Sequence, residues 1–322
     1  MSSDTAIREA IPAELSGMVQ STKFANGVAT IIADAGGLGR SAAAQLQREL
    51  EDAVGAVEGV DEVRVALMAD KVARQIIVVG SGKGGVGKST LTTNLAVALA
   101  NAGRKVGVVD ADIYGPSQPL LLGTANEKIR AEDNTLIPTD TEFGVRVLSI
   151  GQLVEPGRAI AWRGPMVGQA LAQLMEGDWG DVDTLLVDLP PGTGDVQLTM
   201  LQKFKPTGAV VVSTPQDLAL IDATRAMDLF KQAQVPIIGL VENMAGYLCP
   251  ECGAISNPFG QGGTEAAAQS LGVPFLGRVP LAMEIRVASD TGQPPAANET
   301  EHGRPFAEIA ARLNEFLSAS KG

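Results

Sequence analysis

The chain has 322 residues, of which 45% are hydrophobic, and its formal net charge is −12 at pH 7. This acidic balance argues against non-specific binding to nucleic acid, which relies on Lys and Arg to neutralise phosphates. The longest apolar runs are only strand-sized, and residues 1–4 lack the basic start and apolar stretch of a secretory signal. We therefore expect a cytoplasmic protein that binds neither nucleic acid nor membrane.

The N-terminal residues 1–70 predict a small α+β module. Residues 27–33 and 61–67 have the composition of strands, and residues 40–57 have the pattern of a helix. A short segment, Ala69-Asp70-Lys71, would join this module to a second domain over residues 71–322.

From residue 74 onward, short runs rich in Val, Ile and Leu alternate with amphipathic stretches. Near-continuous apolar strands separated by helices predict an α/β domain with a mostly parallel sheet and helices on both faces. Ligands in such folds bind at the carboxyl ends of the strands. Strands are expected at residues 75–79, 106–110, 145–150, 184–189, 209–214, 237–241 and 275–277, with helices at residues 91–100, 166–175 and 219–232.

A glycine-rich loop follows the first of these strands. Residues 82–89 match the pattern G-x-x-x-x-G-K-[S/T], whose backbone N–H groups form a cup for phosphates at the start of a helix. We expect Lys88 to contact the β- and γ-phosphates of ATP and the Ser89 hydroxyl to bind Mg²⁺. The alternative is a glycine-rich turn without a ligand. The predicted nucleotide-binding residues here are Gly82, Lys83, Gly84, Gly85, Val86, Gly87, Lys88, Ser89 and Thr90.

Carboxylates end two further strands. Asp110 and Asp112 follow one apolar run, and Asp188 ends another. An aspartate at this end of a strand can hold Mg²⁺ directly or through water, and Asp188 is the better candidate. Gly192 can offer its N–H to the γ-phosphate. The alternative is that these aspartates only cap turns or helices.

A second lysine, Lys83, stands at the start of the loop. The pattern K-G-G-x-G-K-S resembles the deviant-Walker-A ATPases, in which this lysine reaches the nucleotide of the partner subunit. The resemblance implies a homodimer with ATP between its subunits and catalytic roles for Lys83 and Lys88. It also implies that Asp112 orients or deprotonates the attacking water, that Asp110 lies near the metal, and that Asn243 hydrogen-bonds adenine. The alternatives are local contacts for Lys83 and a turn for Asn243.

Cys249 and Cys252 are the only cysteines, and they form a CxxC pair followed by Gly253. Such a turn presents two thiolates on one side, which cannot complete a four-coordinate metal site alone. A symmetric dimer would bring four sulfurs to its two-fold axis, which suits a [4Fe–4S] cluster or a bridging zinc ion. A thioredoxin-like redox pair is the third interpretation, and the surrounding pattern disfavours it.

The cysteine pair occurs together with the motifs at residues 110–117, 162–166, 188–195 and 241–244. This combination, over about residues 74–295, resembles the Mrp/NBP35 (ApbC-type) family of iron–sulfur cluster carrier ATPases. The resemblance implies a P-loop NTPase fold and slow ATP hydrolysis. It also implies a [4Fe–4S] cluster that is assembled between subunits and transferred to apo-proteins, with scaffold proteins as further partners. Residues 40–68 resemble the end of a DUF59/MIP18 module, but the expected Asp-Pro-Glu turn upstream is absent.

Two other classes share parts of this pattern. MinD/ParA-like spatial organisers carry the two-lysine loop, and their membrane-binding members end in a basic amphipathic helix. Residues 305–318 have an apolar stripe, but its polar face is of mixed charge, so we expect this helix to pack against the domain. A nitrogenase-reductase-like electron donor would use widely separated cysteines.

Overall fold

The computed structural model describes residues 3–68, 74–153, 164–192, 194–216, 219–249 and 251–320. The chain divides into two compact units, of which the first comprises Met1–Ala73 with Asp178–Val182 and the second Arg74–Gly177 with Asp183–Gly322. Several residues named above lie outside the described residues, namely Ala69, Asp70, Lys71, Trp162, Arg163, Thr193 and Pro250.

The first unit is a small α+β structure with a three-stranded sheet of order β1-β2-β3. The β1–β2 pair is antiparallel and turns at Asn26 and Gly27, both at positive φ, while β3 pairs parallel to β2. Alternate residues of β2, including Ala29 and Ile31, are buried against Leu50 of α3. The elements are α1 (Ser3–Ala10), α2 (Ala13–Ser16), β1 (Val19–Ala25), β2 (Val28–Asp34), α3 (Arg40–Gly55) and β3 (Glu62–Met68).

The second unit alternates strands and helices as expected. Its first half contains β4 (Gln75–Gly80), α4 (Lys88–Asn101), β5 (Val106–Asp110), α5 (Gln118–Leu121), β6 (Arg130–Glu132), β7 (Thr135–Ile137), β8 (Thr139–Asp140), β9 (Val145–Ser149), a 3₁₀ helix (Ile150–Leu153) and α6 (Gly164–Met175). Its second half contains β10 (Thr184–Asp188), α7 (Asp195–Phe204), β11 (Gly208–Ser213), α8 (Ala219–Gln232), β12 (Ile237–Leu248), β13 (Ile255–Ser256), α9 (Gly263–Leu271), β14 (Phe275–Leu281), α10 (Met283–Asp290), a 3₁₀ helix (Pro295–Ala297) and α11 (Arg304–Ala319).

The main sheet of this unit has nine strands in the order β13-β12-β11-β4-β10-β5-β9-β8, with β14 paired to β12. All of its pairings are parallel except those of β8 and β13. Strands β5, β10 and β11 are buried at every residue, which is why their interiors are continuously apolar rather than alternating, with polar residues only at their ends. The predicted fold class is confirmed. The register places Asp188 beside Asp110 and Val79, so the strand ends that carry the motifs meet at one edge.

The C-terminal helix α11 packs on one face of this sheet together with α4. Its apolar stripe is buried, and the prediction that the stripe packs against the domain is confirmed. Within the part of the chain that the structure describes, no helix has the length and apolar character needed to cross a bilayer. The buried stripe consists of Phe306, Ile309, Ala310, Leu313 and Leu317.

Two strands extend beyond their predicted ends. Strand β12 continues to Leu248 instead of ending at Val241, and β14 continues to Leu281 instead of ending at Gly277. The β12 extension is irregular, because Met244 and Gly246 have positive φ and the register with β14 shifts between Asn243 and Tyr247. The consequence is that one strand runs from the parallel sheet, beside β11, to the residue before the first cysteine.

Candidate nucleotide and thiolate sites

The phosphate loop connects β4 to α4, and packing requires glycine at two of its positions. A side chain at Gly82 would collide with the carbonyl oxygen of Asp222, and one at Gly87 would collide with the Asn243 amide. Gly87 also has φ +79°, a conformation that favours glycine. The loop is thus fixed between α8 and β12, while Gly84 and Gly85 remain exposed.

Lys88 lies at the centre of the site, where its side chain is only 6% exposed. Its ammonium group donates a short hydrogen bond to Asp188, and it lies 3.4 Å from the Ser89 hydroxyl and 3.7 Å from Asp112 Oδ2. The structure therefore brings together four of the predicted residues. The oxygens around this ammonium are hard donors of the kind that Mg²⁺ prefers, so the donor set fits a magnesium ion.

Asp188 is fully buried at the end of β10. Its Oδ1 accepts from Lys88 and lies 3.4 Å from the Thr92 hydroxyl, and its Oδ2 accepts a 2.9 Å hydrogen bond from Gln118 Nε2. Gln118 was not predicted as a site residue. The signal was its position directly after the motif at residues 110–117, at the start of α5.

Asp110 is also fully buried, and protein donors surround its carboxylate. Burial, together with the nearby charge of Asp188, raises the pKa of Asp110 from 3.8 to about 7, although its hydrogen bonds oppose this rise. Its donors are the backbone N–H groups of Asp112, Ser117 and Gln118 and the hydroxyl of Ser149. The Asp110 carboxylate therefore fixes the loop that follows β5, in addition to lying beside Asp188.

Asp112 presents its two oxygens in different directions. Oδ1 accepts from the backbone N–H groups of Tyr114 and Gly115 at 3.1 and 3.2 Å, whereas Oδ2 faces Lys88. The first oxygen fixes the loop, and the second remains directed at the site. This geometry leaves Asp112 Oδ2 available to a ligand in the place of the Lys88 ammonium.

Lys83 makes contacts within its own chain. Its ammonium donates to Gln216 Oε1 at 2.7 Å and forms an ion pair with Asp222 Oδ2 at 3.0 Å. Its side chain is 32% exposed, at the rim of the loop. In the single chain the second lysine thus lies against α8 and not over the phosphate loop.

Three more predicted residues border the loop. Gly192 has φ +92° and donates its N–H to the Ser81 carbonyl at 3.2 Å. Asn243 donates from Nδ2 to the Val86 carbonyl at 2.8 Å, which ties β12 to the phosphate loop. Thr90 lies in the first turn of α4.

The cysteines lie in the hairpin between β12 and β13. The Cys249 N–H donates to the Ala254 carbonyl and the Gly253 N–H donates to the Cys249 carbonyl, both at 2.9 Å. Cys249 is partly exposed and Cys252 is exposed. The backbone N–H groups of Cys252 and then Glu251 lower the pKa of the Cys249 thiol, which favours a thiolate. Among the described residues, no group of three or more Cys, His, Asp or Glu side chains is placed to hold a metal ion.

One family model matches the part of the chain that contains both sites. Residues 72–314 match the family model described as the NUBPL iron-transfer P-loop NTPase (ParA). The chain belongs to this family. The resemblance inferred from the motifs is thereby confirmed, and the NUBPL-type match covers both the phosphate loop and the cysteine pair.

Proteins similar to this chain include an iron-sulfur cluster carrier protein and two proteins whose structures were solved with bound ADP or Mg-ADP. A Pseudomonas fragi protein described as an iron-sulfur cluster carrier protein is 48% identical over 227 residues, which are 69% of this chain and 78% of that protein. The solved structure of a nucleotide-binding protein from Archaeoglobus fulgidus, in complex with ADP, is 38% identical with a TM-score of 0.63, covering 72% of this chain and 91% of that one. The Pyrococcus horikoshii septum site-determining protein MinD, complexed with Mg-ADP, is 26% identical with a TM-score of 0.56, covering 77% and 99%.

Asp110 generates a prediction about pH. Its folded-state pKa lies above that of the unfolded chain, so its contribution to stability is fully present below pH 3.8 and is lost as the pH rises through about 7. The free energy of unfolding of the nucleotide-free protein should therefore fall by a few kcal/mol more over this range than that of Asp110→Asn. Urea denaturation in EDTA at a series of pH values measures this difference. Parallel pH profiles for the two proteins would contradict the prediction.

Proposed function

We propose that this protein is an ATP-binding and ATP-hydrolysing carrier that assembles a [4Fe–4S] cluster between two copies of the chain and transfers it to apo-proteins. The observation that carries the proposal is the course of β12. This strand holds Asn243 against the phosphate loop and ends one residue before Cys249. A single element therefore joins a nucleotide site to a pair of exposed thiols.

The proposed binding of ATP and Mg²⁺ is based on the charges around Lys88. In the structure, Lys88 compensates the charges of Asp188 and Asp112. We propose that Lys88 turns to the phosphates when ATP binds, and that Ser89 and Asp188, with Asp110 nearby, would hold Mg²⁺, whose charge would offset these carboxylates. Mg²⁺ would also neutralise charge on the phosphates.

Other groups of the loop have supporting roles in this proposal. The backbone N–H groups of residues 82–90 hold the phosphates, and that of Gly192 responds to the γ-phosphate. Asp112 Oδ2, which faces Lys88 in the structure, orients the attacking water. Asn243 hydrogen-bonds adenine with the part of its amide that Val86 does not use.

Lys83 and the cysteines each require a second copy in this proposal. Lys83 would exchange Gln216 and Asp222 for the nucleotide of the partner, where a cation stabilises charge on the transferred phosphoryl group. Two copies of Cys249 and Cys252 would provide the four sulfurs that a cluster needs. We therefore propose a homodimer with both sites at its interface.

The cluster is the cargo of this protein, and the exposure of the thiols suits transfer. Cys252 is exposed and Cys249 partly so, which lets an acceptor or a scaffold protein approach the metal. Zinc uses the same sulfur donors and is the competing occupant. We further propose that residues 1–70 form a separate module and residues 71–322 the ATPase domain.

Cluster binding provides the direct test. Wild-type protein treated anaerobically with iron and sulfide should gain the broad visible absorption of a [4Fe–4S] cluster, and Cys249→Ser/Cys252→Ser should lose it. Lys88→Ala is the matched control, because it should abolish nucleotide binding and keep the cluster. An equal cluster yield in the double variant would refute the carrier function, and zinc alone in protein purified without air would favour the zinc-bridged ATPase.

The course of β12 generates a second prediction. Mg-ADP should slow hydrogen exchange in residues 244–256 of the cluster-free protein, because Asn243 connects this segment to the phosphate loop. Asn243→Ala, measured at saturating Mg-ADP, should lose this protection. Asn257→Ala is the control, since Asn257 is exposed on the same hairpin. Equal protection in Asn243→Ala and wild type would show that β12 does not couple the sites.

A further inference from the structure

The Gln118 side chain lies beside Asp188 with its amide nitrogen and oxygen both hydrogen-bonded. Its side chain is completely buried, and its Nε2 donates to Asp188 Oδ2 at 2.9 Å and to the Ser89 carbonyl at 3.0 Å. Its Oε1 accepts from the Thr93 hydroxyl at 2.7 Å. Both amide hydrogens and the amide oxygen are therefore used.

These contacts determine how the amide is oriented. Asp188 and the Ser89 carbonyl offer only acceptors, so the NH₂ group must face them, and the Thr93 hydroxyl can donate to the remaining oxygen. The backbone N–H of Gln118 adds a 3.1 Å hydrogen bond to Asp110. Gln118 thus connects the end of β5, the end of β10 and the first turns of α4.

We propose that Gln118 is a positioning residue that fixes the Asp188 carboxylate for magnesium; this inference rests on the proposed magnesium–nucleotide site. With Oδ2 held by Gln118, Oδ1 stays directed at the space that Lys88 now fills. The carboxylate then keeps its orientation when Lys88 turns to phosphate. Because the amide is neutral, it does this without cancelling the negative charge that attracts the ion.

Thr93 supports Gln118 through a hydrogen bond and does not itself contact Asp188 in this network. It is 1% exposed, and its hydroxyl holds the Gln118 amide in the orientation that donates to Asp188. Thr93→Val keeps the shape and removes the donor, whereas Thr93→Ser keeps the donor. This pair distinguishes a hydrogen-bonding role from a packing role.

The test compares ADP binding to the full-length protein in EDTA and in increasing Mg²⁺, by calorimetry. Gln118→Met should raise the Mg²⁺ concentration for half-maximal enhancement of ADP binding by roughly tenfold, the loss expected for a hydrogen bond to a charged group. Thr93→Val should raise it several-fold and Thr93→Ser should restore it. ADP affinity in EDTA should stay within about twofold, because no phosphate contact is changed.

Other outcomes would overturn the inference. If ADP affinity falls equally with and without Mg²⁺, Gln118 contributes only to the fold of the loop. If the Mg²⁺ requirement is unchanged in Gln118→Met and in Thr93→Val, Gln118 does not position Asp188. If Gln118→Met does not fold by circular dichroism, the two Thr93 variants decide the question. Neither cluster nor hydrolysis enters this measurement, so the carrier function and this inference can fail separately.

Discussion

The buried ammonium of Lys88 balances the charge at the strand ends, and the geometry of the nucleotide site depends on it. Asp188 and Asp110 are fully buried, and Asp112 nearly so. A buried carboxylate without a positive partner costs several kcal/mol. Burial, together with the charge of Asp188, raises the pKa of Asp110. Carboxylates clustered in this way favour a bound cation, and under the proposed function Ser89 and Asp188 would hold Mg²⁺ while Lys88 contacts phosphate.

Strand β12 connects this site to the cysteine hairpin. Asn243 fixes the strand to the phosphate loop, and the strand then passes through an irregular segment at Met244 and Gly246 before Cys249. Positive φ at a methionine is unfavourable, so the surrounding contacts must hold it in place. The phosphate loop and the cysteine pair are thus connected by a short stretch of backbone.

The apolar stripe of α11 bears on the alternative function of a membrane-binding, MinD-like spatial organiser. In this chain the stripe is buried against the sheet and α4, so those side chains stabilise the domain. A surface-binding helix would instead need an apolar face available to lipid. The likeness to MinD, at 26% identity and a TM-score of 0.56, therefore supports a shared fold.

Much of this structure could be predicted because local pattern and buried environment agree. The interiors of strands β5 and β10 are continuously apolar because both faces are covered, and the glycines of residues 82–87 are typical of a phosphate loop. Strand β1 was missed, because its half-exposed sequence mixes Gln, Ser, Thr and Lys without clear alternation. Contacts such as Gln118 with Asp188 were also missed, because strand register creates them and no local pattern encodes them.

The central claim is that one chain contributes half of a cluster site and that a second copy completes it. Native mass spectrometry of the anaerobically reconstituted protein tests this most directly, because it weighs chains and cluster together. If two copies share the cluster, we expect a species of two chains with one [4Fe–4S] cluster. A cluster carried by a single chain, or cluster-loaded protein that remains monomeric, would contradict it.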